Sequence, residues 1–239
     1  MELKKLLIEG SKEIGLEIDD KKVEQIFLYK DILLEWNEKM NLTAITDDKE
    51  VIIKHFLDSI SCIKMEQLKN QGSIIDVGTG AGFPGIPLKI IYPELKLTLL
   101  DSLQKRINFL KEVCEKLELK EVEFIHGRAE DYGQDQNHRS KYDYAVARAV
   151  APLNVLVEYC LPFVKTGGYF ICQKGPSLDE EILDAKKAIE VLGGKIVDKK
   201  AVQLPFSDII HHILVIEKTR EISTKYPRKA GKPSKNPIK

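Results

Sequence analysis

The sequence predicts a doubly wound α/β domain. Its elements are a mostly parallel seven-stranded sheet, helices on both faces, a terminal antiparallel hairpin and an N-terminal helical extension. Three observations predict it. From residue 73 onward, short apolar runs alternate with segments of helical periodicity. The first run ends in a glycine-rich turn that opens a helix. The last two runs, near 195–203 and 211–217, lie too close in sequence for a helical crossover and so pair antiparallel.

Taken in order, residues 3–14 and 20–40 carry helical periodicity; in the second, Val23, Ile26, Phe27, Ile32, Leu33 and Trp36 recur at three- and four-residue steps. Asp19 or Asp20 suits its start, and Asn41-Leu42-Thr43 breaks it. A third helix begins near Asp47 or Asp48, with Glu50 in its first turn. Residues 1–65 therefore read as a helical subdomain and 66–218 as the sheet domain, with a basic tail over 219–239. Strands are expected at 73–77, 95–100, 122–125, 142–147 and 169–173, then the hairpin; helices are expected at 84–92, 105–117, 152–164 and 178–192.

Composition narrows the classes. The chain has 239 residues, 43% apolar and 31% charged, enough for one full α/β domain and an extension. No run approaches the ~20 apolar residues of a membrane span, and residues 1–12 are charged throughout, so a cytoplasmic location is expected. Cys62, Cys114, Cys160 and Cys172 sit in apolar patterns without the spacing of a zinc site and read as buried thiols; no metal is expected. Formal net charge is zero, yet residues 218–239 hold eight Lys or Arg against Glu221 alone. An acidic body with a basic tail points to a polyanionic partner reached by the tail. Removing residues 223–239 is then expected to weaken association with that polyanion.

The strongest motif is Asp76-Val77-Gly78-Thr79-Gly80-Ala81-Gly82-Phe83-Pro84-Gly85. Glycines let the backbone turn sharply and approach a ligand, and the following helix presents its N-terminus there. Gly80, Gly82 and Gly85 fit a dinucleotide pattern. Counted from the strand end, however, the turn runs from Gly78 with Phe83 where the third glycine belongs. Asp76 lies inside the strand end, beside which a pyrophosphate is disfavoured; the ammonium and sulfonium of S-adenosylmethionine tolerate it. Asp101, closing the second strand about 20 residues on, suits ribose hydroxyls, or equally caps the next helix, as Ser102 also does.

These residues resemble a known family. Asp76 to Pro87, Leu100 to Arg106, Gly127 to Glu130 and Ala147-Arg148-Ala149 are together similar to the RsmG (GidB) family, ribosomal RNA small-subunit methyltransferase G. Trp36-Asn37, Asn41-Leu42-Thr43, His55 to Ser59 and the tail from Tyr226 to Pro237 extend the likeness over nearly the whole chain. The resemblance implies a class I S-adenosylmethionine-dependent methyltransferase of Rossmann-like fold. It implies methylation of N7 of one guanine in the 530 loop of bacterial 16S rRNA, with 16S rRNA or the small ribosomal subunit as partner. It also implies a donor site at Gly78, Phe83, Ala129, Glu130 and Arg148, with Ala129 and Glu130 flanking the adenine.

The residues agree with that chemistry. Guanine N7 already carries a lone pair, so attack on the methyl group needs no prior deprotonation, and positioning and electrostatics suffice. No Asp/Asn-Pro-Pro-aromatic run for exocyclic amines and no Pro-Cys pair for pyrimidine carbons follows the fourth strand. Arg148, Lys174 and Arg128 are the candidate cations at strand ends, for guanine O6, a phosphate or the donor carboxylate. With Arg148, the candidate donor-binding set is Asp76, Gly78, Gly80, Gly82, Phe83, Asp101, Ala129 and Glu130. None of the five histidines is assigned to catalysis, although His55 and Asp58 lie one helical turn apart and are placed to face the top of the sheet. A small-molecule methyltransferase, a nicotinamide oxidoreductase and a non-catalytic RNA-binding module remain the alternatives. The intact glycine turn argues against the last.

Overall fold

The computed structural model describes residues 2–148 and 150–239. Met1 and Ala149, the latter part of the Ala147-Arg148-Ala149 motif, lie outside the described residues. Helices α1 (Glu2–Ile14) and α2 (Asp20–Asn37) come first. Asp19 caps α2, accepting from Lys22 N at 2.9 Å. Asp47 caps α3 (Asp48–Val51) through Glu50 N at 2.9 Å. The chain then widens into a π-helical turn, Ile52–Leu57, before α4 (Asp58–Ile60) and a 3-10 turn, Ser61–Lys64. The sequence predicts an ordinary helix here. Such wide turns re-aim side chains, and this one carries His55 and leads directly into Asp58.

Alternation follows: β1 (Gln71–Val77), α5 (Gly85–Ile91), β2 (Glu94–Asp101), α6 (Gln104–Lys116), β3 (Val122–His126), α7 (Ala129–Tyr132), β4 (Tyr142–Arg148), α8 (Leu153–Cys160), β5 (Val164–Lys174), α9 (Leu178–Val191), β6 (Gly194–Gln203), β7 (Ile210–Lys218) and α10 (Lys232–Lys235). The seven strands are ordered β3-β2-β1-β4-β5-β7-β6. The first five run parallel; β7 is antiparallel to both β5 and β6, so the terminal hairpin inserts its second strand into the sheet. Ile74, Ile75, Asp76 and Val77 of β1 are all buried, as a central strand covered on both faces requires. Strand order reverses between β1 and β4, and ligands of open α/β sheets bind outside the carboxyl ends at such a point.

The core lies in two layers. On one face Leu7, Ile26, Phe56 and Leu57 from the N-terminal helices pack with Ile74, Leu97, Leu99 and Phe109. Residues 2–64 thus cover the sheet and share its core. On the other face α8 and α9 pack through Leu156, Cys160, Ala185 and Ile189 against Ile75, Ala145 and Phe170. All four cysteines are free and buried, as the sequence predicts.

Candidate donor crevice and reaction chamber

The glycine turn caps β1. Gly78, Gly80 and Gly82 all adopt positive φ, at 69°, 60° and 92°. The three serve different ends. A Cβ on Gly80 would meet nothing nearer than Gly78 O at 4.0 Å, so Gly80 borders open space. A Cβ on Gly82 would strike the Tyr29 hydroxyl and lie 2.7 Å from Ile86 Cδ1 and 3.0 Å from Leu110 Cδ2. Gly82, a predicted donor contact, is therefore required by the core behind the turn. A Cβ on Gly78 would approach the Val150 methyls at 3.1 Å.

Asp76 is wholly buried and holds the turn from behind. Its Oδ2 accepts from Thr79 Oγ1 and Gly85 N, both at 2.8 Å. Burial pushes its carboxyl up to about 6, against hydrogen bonds from Thr79 and Gly85 that pull it down. The first N–H of α5 is thus occupied by a carboxylate, whereas the sequence expectation left it free for a ligand. A pyrophosphate would need that N–H, which weighs against a dinucleotide.

Asp101, buried at the end of β2, ties the turn to the sheet. Its Oδ2 accepts from Gly80 N at 2.9 Å and Arg106 Nη1 at 3.3 Å, and its Oδ1 accepts from Leu103 N at 2.9 Å. A crevice of about 190 Å³ opens over Gly78, Asp101, Ser102, Arg128, Ala129 and Glu130. The predicted donor residues Gly78, Asp101, Ala129 and Glu130 thus come together around one cavity. Arg128 is exposed at its mouth, at the start of α7, a helix the sequence reading missed.

A second chamber of about 380 Å³ adjoins it, sharing Gly78, Asp101, Ser102 and Val150, and adding Thr43, His55, Gly80, Phe83 and Arg148. The Phe83 ring is clamped: Tyr29 stacks on it at 5.2 Å and His55 at 4.8 Å, and the Arg148 guanidinium lies 5.0 Å from its centroid. Arg148, at the end of β4, donates from Nη1 to Asp58 Oδ2 at 2.8 Å and from Nη2 to His55 Nδ1 at 3.1 Å. Asp58 is buried and also takes hydrogen bonds from Gln173 Nε2 at 3.0 Å and His211 Nδ1 at 2.8 Å. Arg148 joins His55 and Asp58, which the sequence places one helical turn apart; Gln173, near the end of β5, and His211, near the start of β7, were missed because only the sheet order reveals them.

Lys174 is a different case. Its ammonium donates to Ala151 O and Glu181 Oε2, both at 2.7 Å, and Glu181 Oε2 also accepts from Leu153 N at 2.7 Å. It clamps the loop after β4 to α9 and lines neither chamber. The expectation that Lys174 meets the reactants is therefore not met, because its charge is neutralised within the fold.

The tail also departs from expectation. Arg228 makes a multidentate pair with Glu158, which is fully buried on α8: Nε to Oε1 at 2.9 Å and Nη2 to Oε2 at 2.6 Å. Arg139 holds the carbonyls of Tyr226 at 2.7 Å and Ile222 at 2.8 Å. Gly231 N donates to Glu130 Oε1 at 2.8 Å, and Gly231 and Ser234 wall the first crevice beside Tyr159. The tail is a strap across the first crevice.

The family described as GidB, rRNA small subunit methyltransferase G, matches residues 22–209. The chain belongs to the rRNA small subunit methyltransferase G family. The family's ribosomal RNA small subunit methyltransferase G of Alkaliphilus metalliredigens is 67% identical over 239 residues, covering all of both chains. That of Acetivibrio thermocellus is 59% identical over 238 residues, covering 100% of this chain and 98% of its own. Among solved structures, the fibrillarin pre-rRNA processing protein of Methanococcus jannaschii superposes with a TM-score of 0.52 at 22% identity, over 65% of this chain and 70% of that one. Aeropyrum pernix fibrillarin, with natively bound S-adenosyl-L-methionine, gives 0.51 at 17% identity, over 64% and 70%. These two likenesses bear on the fold alone, and they agree with the class I methyltransferase architecture expected of the family.

The shifted titrations of His55 and Asp76 have a measurable signature. Burial, and then the Arg148 charge, lower His55 from 6.5 to about 4. Between those values the unfolded chain binds a proton that the folded chain refuses. The His55 contribution is complete above pH 6.5 and lost as the pH falls toward 4, about 3 kcal/mol in all. Asp76, raised from 3.8 to about 6, acts oppositely: its contribution is present below 3.8 and lost as the pH rises through 6. The two slopes offset each other in the parent chain. His55→Asn unmasks them: the stability gap between parent and variant, read by urea denaturation, should shrink by roughly 3 kcal/mol from pH 7 to pH 4. A gap independent of pH contradicts the neutral, buried assignment.

Proposed function

We propose that this chain transfers the methyl group of S-adenosylmethionine to N7 of a guanine in the 530 loop of bacterial 16S rRNA, in the cytoplasm, on free rRNA or the small ribosomal subunit. The observation that carries this reading is that the reaction chamber offers no free general base among the described residues. Asp101 is committed to Gly80, Leu103 and Arg106, and Asp58 to Arg148, Gln173 and His211. His55 is neutral with both ring nitrogens engaged. Such a chamber suits a nucleophile that needs no deprotonation, and guanine N7 is one.

S-adenosylmethionine, when bound, supplies an electrophilic methyl on a sulfonium. Gly78, Ala129 and Glu130 would hold its adenosine, with the spare acceptor capacity of Asp101 toward the ribose. Gly80 would leave room for its amino-acid end, and Phe83 braces the chamber floor. Arg148 is paired with Asp58, so the pair brings no net positive charge toward a base that becomes cationic on N7 methylation. Arg128 lines the crevice, Lys225, Lys229, Lys232 and Lys235 are exposed on the tail, and all five suit RNA phosphates.

Two measurements test this. Purified protein, methyl-labelled S-adenosylmethionine and small subunits, followed by nuclease digestion, should yield labelled 7-methylguanosine; label in any other nucleoside contradicts the proposal. Replacing the four tail lysines with alanine should flatten the slope of log K against log salt by about 3 in RNA binding. An unchanged slope removes the tail from the RNA interface.

A further inference from the structure

We propose that Thr43 presents a donor-only hydroxyl to the reaction chamber, where it binds an oxygen acceptor of the reactants, and that His55 is the positioning residue that forces this role on it. The inference rests on the methyl-transfer reading above and assigns a residue to it. It follows from counting hydrogens. A guanidinium has donors and no acceptor. Arg148 Nη2 lies 3.1 Å from His55 Nδ1, so Nδ1 must present its lone pair. The proton of the neutral ring then sits on Nε2, which lies 2.8 Å from Thr43 Oγ1 and donates to it. The Ile45 N–H donates to the same oxygen at 3.0 Å. Both lone pairs of the hydroxyl are taken, and its hydrogen is what remains.

That hydrogen has no acceptor among the described residues, and Thr43 lines the chamber that also contains Gly80 and Arg148. Its direction is fixed from two sides. Asn37 Oδ1, just inside the end of α2, accepts from Leu42 N at 2.7 Å and Thr43 N at 2.9 Å, which pins the loop. The His55 ring is engaged at both nitrogens and stacks on Phe83, itself stacked on Tyr29. The depressed basicity of His55 agrees with a neutral ring. A fixed hydroxyl donor suits an sp² oxygen, which both reactants carry: the carboxylate of the donor and O6 beside guanine N7.

The test uses Thr43→Val, which keeps shape and removes the hydroxyl, and Thr43→Ser, which keeps the hydroxyl. Each is titrated calorimetrically with S-adenosylhomocysteine and assayed in single turnover on small subunits; the ¹⁵N shifts of His55 are read in the parent chain. The expected result is a loss of about tenfold or more in Thr43→Val and near-parental behaviour in Thr43→Ser. If the loss falls on S-adenosylhomocysteine affinity, the acceptor is the carboxylate; if it falls on the turnover rate with that affinity unchanged, the acceptor is O6. A proton on Nδ1 of His55, a Thr43→Val variant within twofold of the parent in both assays, or a Thr43→Ser variant as poor as Thr43→Val overturns the proposal. A parent chain that binds no S-adenosylhomocysteine and transfers no methyl instead sinks the underlying reading.

Discussion

Arg228→Ala should cost about 3–5 kcal/mol of folding stability and weaken S-adenosylmethionine binding at least tenfold. Glu158 is completely buried on α8, and its carboxylate accepts from the Arg228 backbone N at 2.8 Å as well as from the guanidinium. Removing the cation leaves a charge in the interior without a partner, the costly way to break such a pair. The same change releases the strap that carries Gly231 onto Glu130 and Ser234 onto the candidate donor crevice. A tail serving RNA alone would give weaker RNA binding with intact donor affinity. Denaturation and calorimetry on one preparation separate the two: unchanged donor affinity after loss of Arg228 contradicts the strap.

Gly80→Val and Gly82→Ala should fail in opposite ways, though the two glycines stand two residues apart. At Gly80 the new side chain enters open space in the reaction chamber. Donor binding should fall below detection while the protein stays folded, at a cost of about 2 kcal/mol for an L-residue at positive φ. At Gly82 even a methyl collides with Tyr29 and Ile86. That change should remove roughly 3 kcal/mol or more of stability through strain and overpacking. Melting curves and a donor titration of each variant decide the matter; a folded, binding-competent Gly80→Val places the turn wrongly.

The sheet was legible because its signals are local. Apolar runs bounded by turn residues, a glycine turn after β1 and a short final loop carry the whole strand count and the antiparallel end. That β7 inserts beside β5 was not legible, since pairing partners among neighbouring strands are set by packing. Site residues split the same way. Gly78, Asp101, Ala129 and Glu130 follow strand ends in sequence and meet as expected. Lys174 has the same sequence credentials as Arg148, and nothing local distinguishes them; the difference is Glu181, one turn into α9, which claims the ammonium. Phe83 reads as a donor contact, yet its ring is spent between Tyr29 and His55. Glu158 stands in the apolar helix Leu153–Cys160, and a carboxylate there requires a cation from elsewhere. The basic tail was the obvious supplier.

The most direct test of the account is a calorimetric titration of the intact chain with S-adenosylmethionine, S-adenosylhomocysteine and NADH. The crevice over Gly78, floored by Asp101 and closed by Gly231, should bind the first two at one site and NADH not at all. Binding of NADH with no response to either sulfur compound would contradict it.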